Sequence, residues 1–122
     1  MSDLTFESLN AYLSGRISFI GTSKHEDKGL TPRIICADGV ELSVQTGIYL
    51  YCSPRENIGP WFQVEVGYPS ICPPDTWRGY FDGDWEEGDR TASVYGYVPI
   101  DLVIDFINEH GGTDLTTEER RS

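Results

Sequence analysis

Positive charge is the scarcest resource in this chain of 122 residues. Nine Lys and Arg stand against 20 Asp and Glu, for a formal charge of −11 and a pI near 4.4. That balance excludes unaided binding to nucleic acid or to an anionic membrane, because both would repel it. Long apolar runs are also missing. None approaches the roughly 18 residues that a transmembrane helix needs. Met1-Ser2-Asp3 opens without a basic segment or an apolar signal core, so export is not expected.

Cysteine is sparse and unpaired in pattern. Cys36, Cys52 and Cys72 are odd in number, form no C-x-x-C, and lie far in sequence from His25 and His110. No zinc pattern results, and Cys36 and Cys52 read as small buried hydrophobes in a reducing cytoplasm. A glycine-rich phosphate loop is absent too, since Gly47, Gly59 and Gly67 are isolated. No nucleophile and base are brought together by spacing. The expectation is therefore a protein that is not an enzyme and carries no cofactor and no metal.

What the chain does contain is local periodicity. Residues 4–14 read as a helix with Leu9, Tyr12 and Leu13 on one face, Asp3 or Thr5 as cap and Gly15 as stop. Arg16 to Ile20 reads as a strand, and Thr22 to Thr31, with His25, as a surface loop. Asp38-Gly39 between two β-rich runs predicts a hairpin with a two-residue type I′ turn. Val40, Leu42 and Val44 alternate with Glu41, Ser43 and Gln45, the pattern of a strand with one wet face. Ile48 to Cys52 and Trp61 to Tyr68 read as further strands, separated by a loop from Ser53 to Pro60. In the second, Trp61, Gln63, Glu65 and Gly67 are expected on one face, and Phe62, Val64, Val66 and Tyr68 on the other. Ser93 to Val98 is another strand. Pro99 suits a first helical position, and Ile100, Val103, Ile104 and Ile107, widened by Leu102 and Phe106, form an apolar stripe ending at Gly111-Gly112. Residues 113–122 are polar and predict a frayed tail.

The sum predicts one domain over residues 1–122, of class α+β. It is a twisted antiparallel sheet of about five or six strands, with an N-terminal and a C-terminal helix packed on one face. Between the last two strands lies an irregular segment, 69–90. Its prolines, Pro69, Pro73 and Pro74, forbid a continuous helix or ladder, although 74–80 can form one helical turn. Irregular stretches of this length are uncommon in compact domains and often functional.

That segment holds the densest charge feature. Asp82, Asp84, Glu86, Glu87 and Asp89 are five carboxylates in eight residues, with Trp85 among them. The spacing begins like a calcium loop, but the glycine falls one position late at Gly88 and the twelfth position is Ser93 rather than Glu. Spaced carboxylates can replace phosphates before a Lys/Arg surface, and aromatics can anchor such a contact. The candidate partner-binding residues are therefore Asp82, Asp84, Trp85, Glu86, Glu87 and Asp89, with Trp77 and Tyr80 joining if exposed.

The run Tyr51-Cys52-Ser53-Pro54-Arg55, then Gly59-Pro60-Trp61, Glu65-Val66-Gly67-Tyr68-Pro69-Ser70 and Pro73-Pro74, resembles small accessory proteins encoded in phages and prophages. So does Val94-Tyr95-Gly96-Tyr97-Val98-Pro99 with Phe106-Ile107 and His110-Gly111-Gly112. The resemblance covers residues 40–112 and carries over no catalytic residue. It implies a phage context in a bacterial cytoplasm. The charge and that context together suggest an inhibitor that blocks a basic host protein surface, as anti-CRISPR proteins and DNA mimics do. An immunity protein capping a cognate toxin would need the same acidic complementarity. A small enzyme or ligand-binding domain using residues 69–90 as a pocket wall is the third reading.

Overall fold

A computed structural model describes residues 4–13, 17–19, 33–47, 50–55, 59–113 and 117–119. Helix α1 spans Phe6–Leu13, followed by strands β1 (Ile17–Phe19), β2 (Ile34–Ile35), β3 (Glu41–Gln45) and β4 (Gln63–Gly67). A 3₁₀ helix (Asp75–Tyr80) precedes β5 (Val94–Pro99), α2 (Ile100–Glu109) and β6 (Thr117–Glu119). The expected features at Asp3, Gly15, the loop 22–31 with His25, and residues 48–49 and 56–58 lie outside the described residues.

The class is α+β with an antiparallel sheet, but the single sheet of five or six strands is not what forms. Among the described residues the main sheet has four strands in the order β2-β3-β4-β5, and β1 pairs with β6 in a separate two-stranded sheet. Two sequence readings account for the difference. Leu50 to Cys52 has no strand pairing; its backbone curls instead, with the Leu50 N–H donated to Gly47 O. The tail is not wholly frayed, since Thr117–Glu119 pairs with Phe19–Ile17 and Thr113 is fully buried. The Thr113 hydroxyl donates to Ile35 O at 2.7 Å, and its backbone bridges to Cys36. A polar segment can order in this way when its hydrogen-bonding groups find fixed partners.

Local chemistry explains each helix end. Thr5 caps α1: its hydroxyl accepts the Ser8 N–H at 3.2 Å while Ser8 Oγ accepts the Thr5 N–H at 2.9 Å. This is a capping box with serine in the glutamate's place. Pro99 is not the first helical residue. It ends β5 opposite Gln63, and the helix begins at Ile100, whose N–H goes to Phe62 O. At the other end Gly111 N–H reaches Asn108 O and Gly112 N–H reaches Ile107 O, a Schellman stop with Gly111 at φ +90°.

The hairpin between β2 and β3 has three loop residues rather than two. Gly39 N–H donates to Cys36 O, Cys36 N–H donates to Val40 O, and Gly39 alone has positive φ. That is a type I turn closed by a left-handed residue, the second common hairpin solution, which asks nothing unusual of Asp38. Asp38 is free to accept the Val40 N–H with its own side chain at 3.0 Å.

Inward-facing Leu42, Val44, Val64, Val66, Tyr95 and Val98 meet Leu9 and Tyr12 of α1 and Val103, Phe106 and Ile107 of α2 in one core. Trp61 is buried and Phe62 exposed, so the two-residue alternation fails at the entry to β4. Asn10 explains why. Its Oδ1 accepts the Trp61 N–H at 2.6 Å and its Nδ2 donates to Trp61 O at 3.2 Å. The side chain thus acts as a strand neighbour and draws Trp61 against α1. Asn108 treats Leu4 in the same way, accepting its N–H and donating to its C=O.

Candidate functional site

Segment 69–90 leaves β4 through Tyr68, a non-glycine residue at φ +49°. Arg33 holds the Tyr68 carbonyl at 2.8 Å, and Ser70 pairs with Glu41 through both backbone and hydroxyl. The 3₁₀ helix then inserts Trp77 between Tyr95 and Phe106, with ring centroids 5.5 and 5.3 Å away. Phe81 bridges to Tyr95 of β5 and packs edge-on against Trp85.

The acidic loop is built on that aromatic floor. Asp84 Oδ1 accepts the N–H groups of Glu86 and Glu87, and Gly88 N–H returns to Asp84 O. Asp89 Oδ1 accepts both the N–H and the hydroxyl of Thr91. Those Thr91 bonds, hydroxyl first, hold the Asp89 carboxyl below its ordinary range. The Arg90 guanidinium lies 4.0 Å over the Trp85 ring and donates from Nε to Trp85 O. The Tyr95 hydroxyl donates to Arg90 O, and burial pushes its phenol up to about 12, so it remains a donor. Asp82, Asp84, Glu86, Glu87 and Asp89 are all exposed. Arg78 reaches Glu86 at 3.2 Å across an open surface, where such a pair is screened and weak.

The structure thus brings the five carboxylates together on one fixed loop but turns the tryptophans away from it. Trp77 is 1% exposed and Trp85 6%. Neither is a surface anchor; both hold the segment to the core, because an indole gains more from Tyr95, Phe106 and Phe81 than from water. Tyr80 is half-buried against the same core.

Exposed aromatic surface lies elsewhere, on residues that sequence reasoning did not single out. Tyr51 is 51% exposed and Tyr97 37%, and their rings sit 5.9 Å apart. Tyr97 N–H donates to Tyr51 O, and Tyr51 N–H donates to Glu65 Oε2 at 3.0 Å. The register explains this. Val64 pairs with Val98 and Val66 with Tyr95, so Glu65 faces both Gly96 and Tyr97. This is a β-bulge on β5, with Tyr97 at φ +54°. Alternation alone would put Tyr95 and Tyr97 on one face; the bulge buries the first and exposes the second. No local residue type announces a left-handed tyrosine.

One histidine–carboxylate pair is also present. Asp38 Oδ2 meets His110 Nδ1 at 2.6 Å, joining the hairpin tip to the end of α2. The neighbouring thiol does not make it a Cys–His centre. Burial, and then the charge of Asp38, push Cys36 up to about 12, the wrong direction for a nucleophile. Among the described residues no cluster of His, Cys, Asp and Glu is arranged to hold a metal ion, and no helix is long and apolar enough to cross a membrane. Comparison with protein families, curated proteins and solved structures finds no match for this chain.

Proposed function

We propose that this protein is a non-catalytic binding protein that inhibits its partner by occupying a basic surface. The observation that carries the reading is the fixed geometry of loop 82–89. Its exposed carboxylates are not a loose solvated turn, because Asp84 and Asp89 lock the backbone and Trp85 is bolted beneath it. A pre-ordered loop backbone loses little further freedom on binding. On a chain of charge −11 it also gains from long-range steering toward a cationic groove. The setting we propose is phage-encoded anti-defence in a bacterial cytoplasm, resting on the resemblance over residues 40–112.

The test is capture of a basic partner from host lysate at low and high salt, with wild type and a charge-reversed loop. Asp84 must be left in place, since its Oδ1 holds the loop together. The informative variant is Asp82, Glu86 and Glu87→Lys. A stoichiometric partner that is released by salt, and whose association with the variant slows by about tenfold or more, is expected. Unchanged capture by the variant would remove the loop from the interface.

A further inference from the structure

We propose that Tyr51, Tyr97 and Glu65 together form a receptor for an arginine side chain of the protein partner. This rests on the reading above and deepens it, by naming the residue type taken from the basic surface and a second place where it is taken. The two rings stand 5.9 Å apart at 45°, both open to solvent. Glu65 lies beside them, with one oxygen on the Tyr51 N–H. Among the described residues Glu65 has no cationic partner and neither tyrosine hydroxyl has a hydrogen bond.

The ring contact and the Tyr97 N–H bond to Tyr51 O hold this arrangement together but leave both rings open to solvent. A left-handed bulky residue is disfavoured, and strain of that kind persists where the surroundings or a function demand it. At Tyr97 the conformation leaves more than a third of the residue in solvent. Gly96 supports the same surface from below: a Cβ there would lie 3.1 Å from Tyr51 Cβ, so the bulge leaves Tyr51 room to lie across β5. The result is two π faces beside an uncompensated carboxylate.

That chemistry selects a guanidinium. It is planar, stacks on aromatic faces, is weakly hydrated and can present a second N–H edge to a carboxylate. A lysine ammonium is a compact, strongly hydrated charge that forgoes the stacking. The charge of −11 supplies the long-range match to a basic partner. Loop 82–89 and this receptor also share one strand: Asp82 N–H binds Val94 O and Phe81 bridges to Tyr95, while Tyr51 binds Tyr97. Two residues of strand, Tyr95 and Gly96, lie between Val94 and Tyr97, a span of roughly 10 Å. One basic protein segment can reach both.

The probe is an arginine–glycine peptide titrated into the full ¹⁵N-labelled chain, beside a lysine–glycine peptide of equal length. The arginine peptide is expected to move the amide signals of Tyr51, Glu65, Gly96 and Tyr97 saturably, and the lysine peptide to move them less. Tyr51→Leu and Tyr97→Gly should each weaken arginine-peptide binding roughly two- to fivefold. Tyr97→Gly should do so with little change in the melting temperature, since relief of the left-handed backbone offsets the lost ring contact. Glu65→Gln keeps an acceptor for Tyr51 N–H and should also weaken binding. Shifts confined to residues 82–89, equal affinity for the two peptides, or unchanged binding by Tyr97→Gly would each overturn the receptor. The Asp82, Glu86 and Glu87→Lys variant separates the two ideas. If it leaves the Tyr51 and Tyr97 shifts intact and the lysate partner still bound, the loop reading fails and the receptor stands.

Discussion

At the residue scale, a few polar side chains stand in for missing backbone. Asn10 shows the principle best. It is 7% exposed and offers Trp61 both an acceptor and a donor, as a neighbouring strand would. Removing it takes two hydrogen bonds from the buried Trp61 backbone, and a buried group whose partner is removed costs about 1–3 kcal/mol. Asn10→Ala is therefore expected to lower the free energy of unfolding by about 2–4 kcal/mol in urea denaturation, whereas a surface substitution such as Glu7→Ala should change it by less than about 0.5 kcal/mol. Equal effects would show that Asn10 is not a clamp. Nothing in the sequence singles out Asn10 as a clamp; the position of Trp61 against α1 gives it that role. The same holds for the tryptophans. Trp85 sits among five acids and reads as a surface anchor, yet its ring packs edge-on against Phe81 and under the Arg90 guanidinium, and Phe81 is itself fixed by a bridge to Tyr95 of β5, far from it in sequence.

At the scale of elements, what could be read in advance was what depends on neighbours in sequence. The apolar stripes of α1 and α2, the Gly111-Gly112 stop, the hairpin at Asp38-Gly39 and the turn of helix at 74–80 all have local causes. The misread features have long-range ones. Leu50 to Cys52 has strand composition but spends its backbone on Gly47 and on Tyr97. Thr113 looks like tail but is held by Ile35. The contact between the hairpin tip and α2 belongs to this scale as well. Asp38 accepts the Val40 N–H and a bond from His110, and these, in that order, hold its carboxyl below the ordinary carboxylate range. A lowered folded-state pKa means that the unfolded chain takes up the proton first. The contribution is fully present above about pH 4, the unfolded value, and is lost as pH falls through the folded one. Stability measured from pH 6 down to pH 2 should therefore fall more steeply in wild type than in Asp38→Asn. Parallel acid limbs would show that the pair contributes nothing.

At the scale of the whole molecule, the far parts of the chain hold each other. Leu4 and Asn108, 104 residues apart, exchange two hydrogen bonds. Cys36 bridges to Thr113, and β1 waits for β6. A chain ended after Gly112 would keep both helices and the four-stranded sheet, but would leave Ile35 O and the β1 edge without partners. Its unfolding free energy is expected to drop by at least about 2 kcal/mol. A drop below about 0.5 kcal/mol would return residues 113–119 to the status of tail. The pairing of Ile17–Phe19 with Thr117–Glu119 also sets an order of events in the cell. A ribosome adding about 5–20 residues per second needs roughly 5–20 s to travel from the first of these strands to the second. Through that interval the newborn chain carries Ile17–Phe19 without its strand partner. The formal charge of −11 works against such chains meeting, because like charges repel.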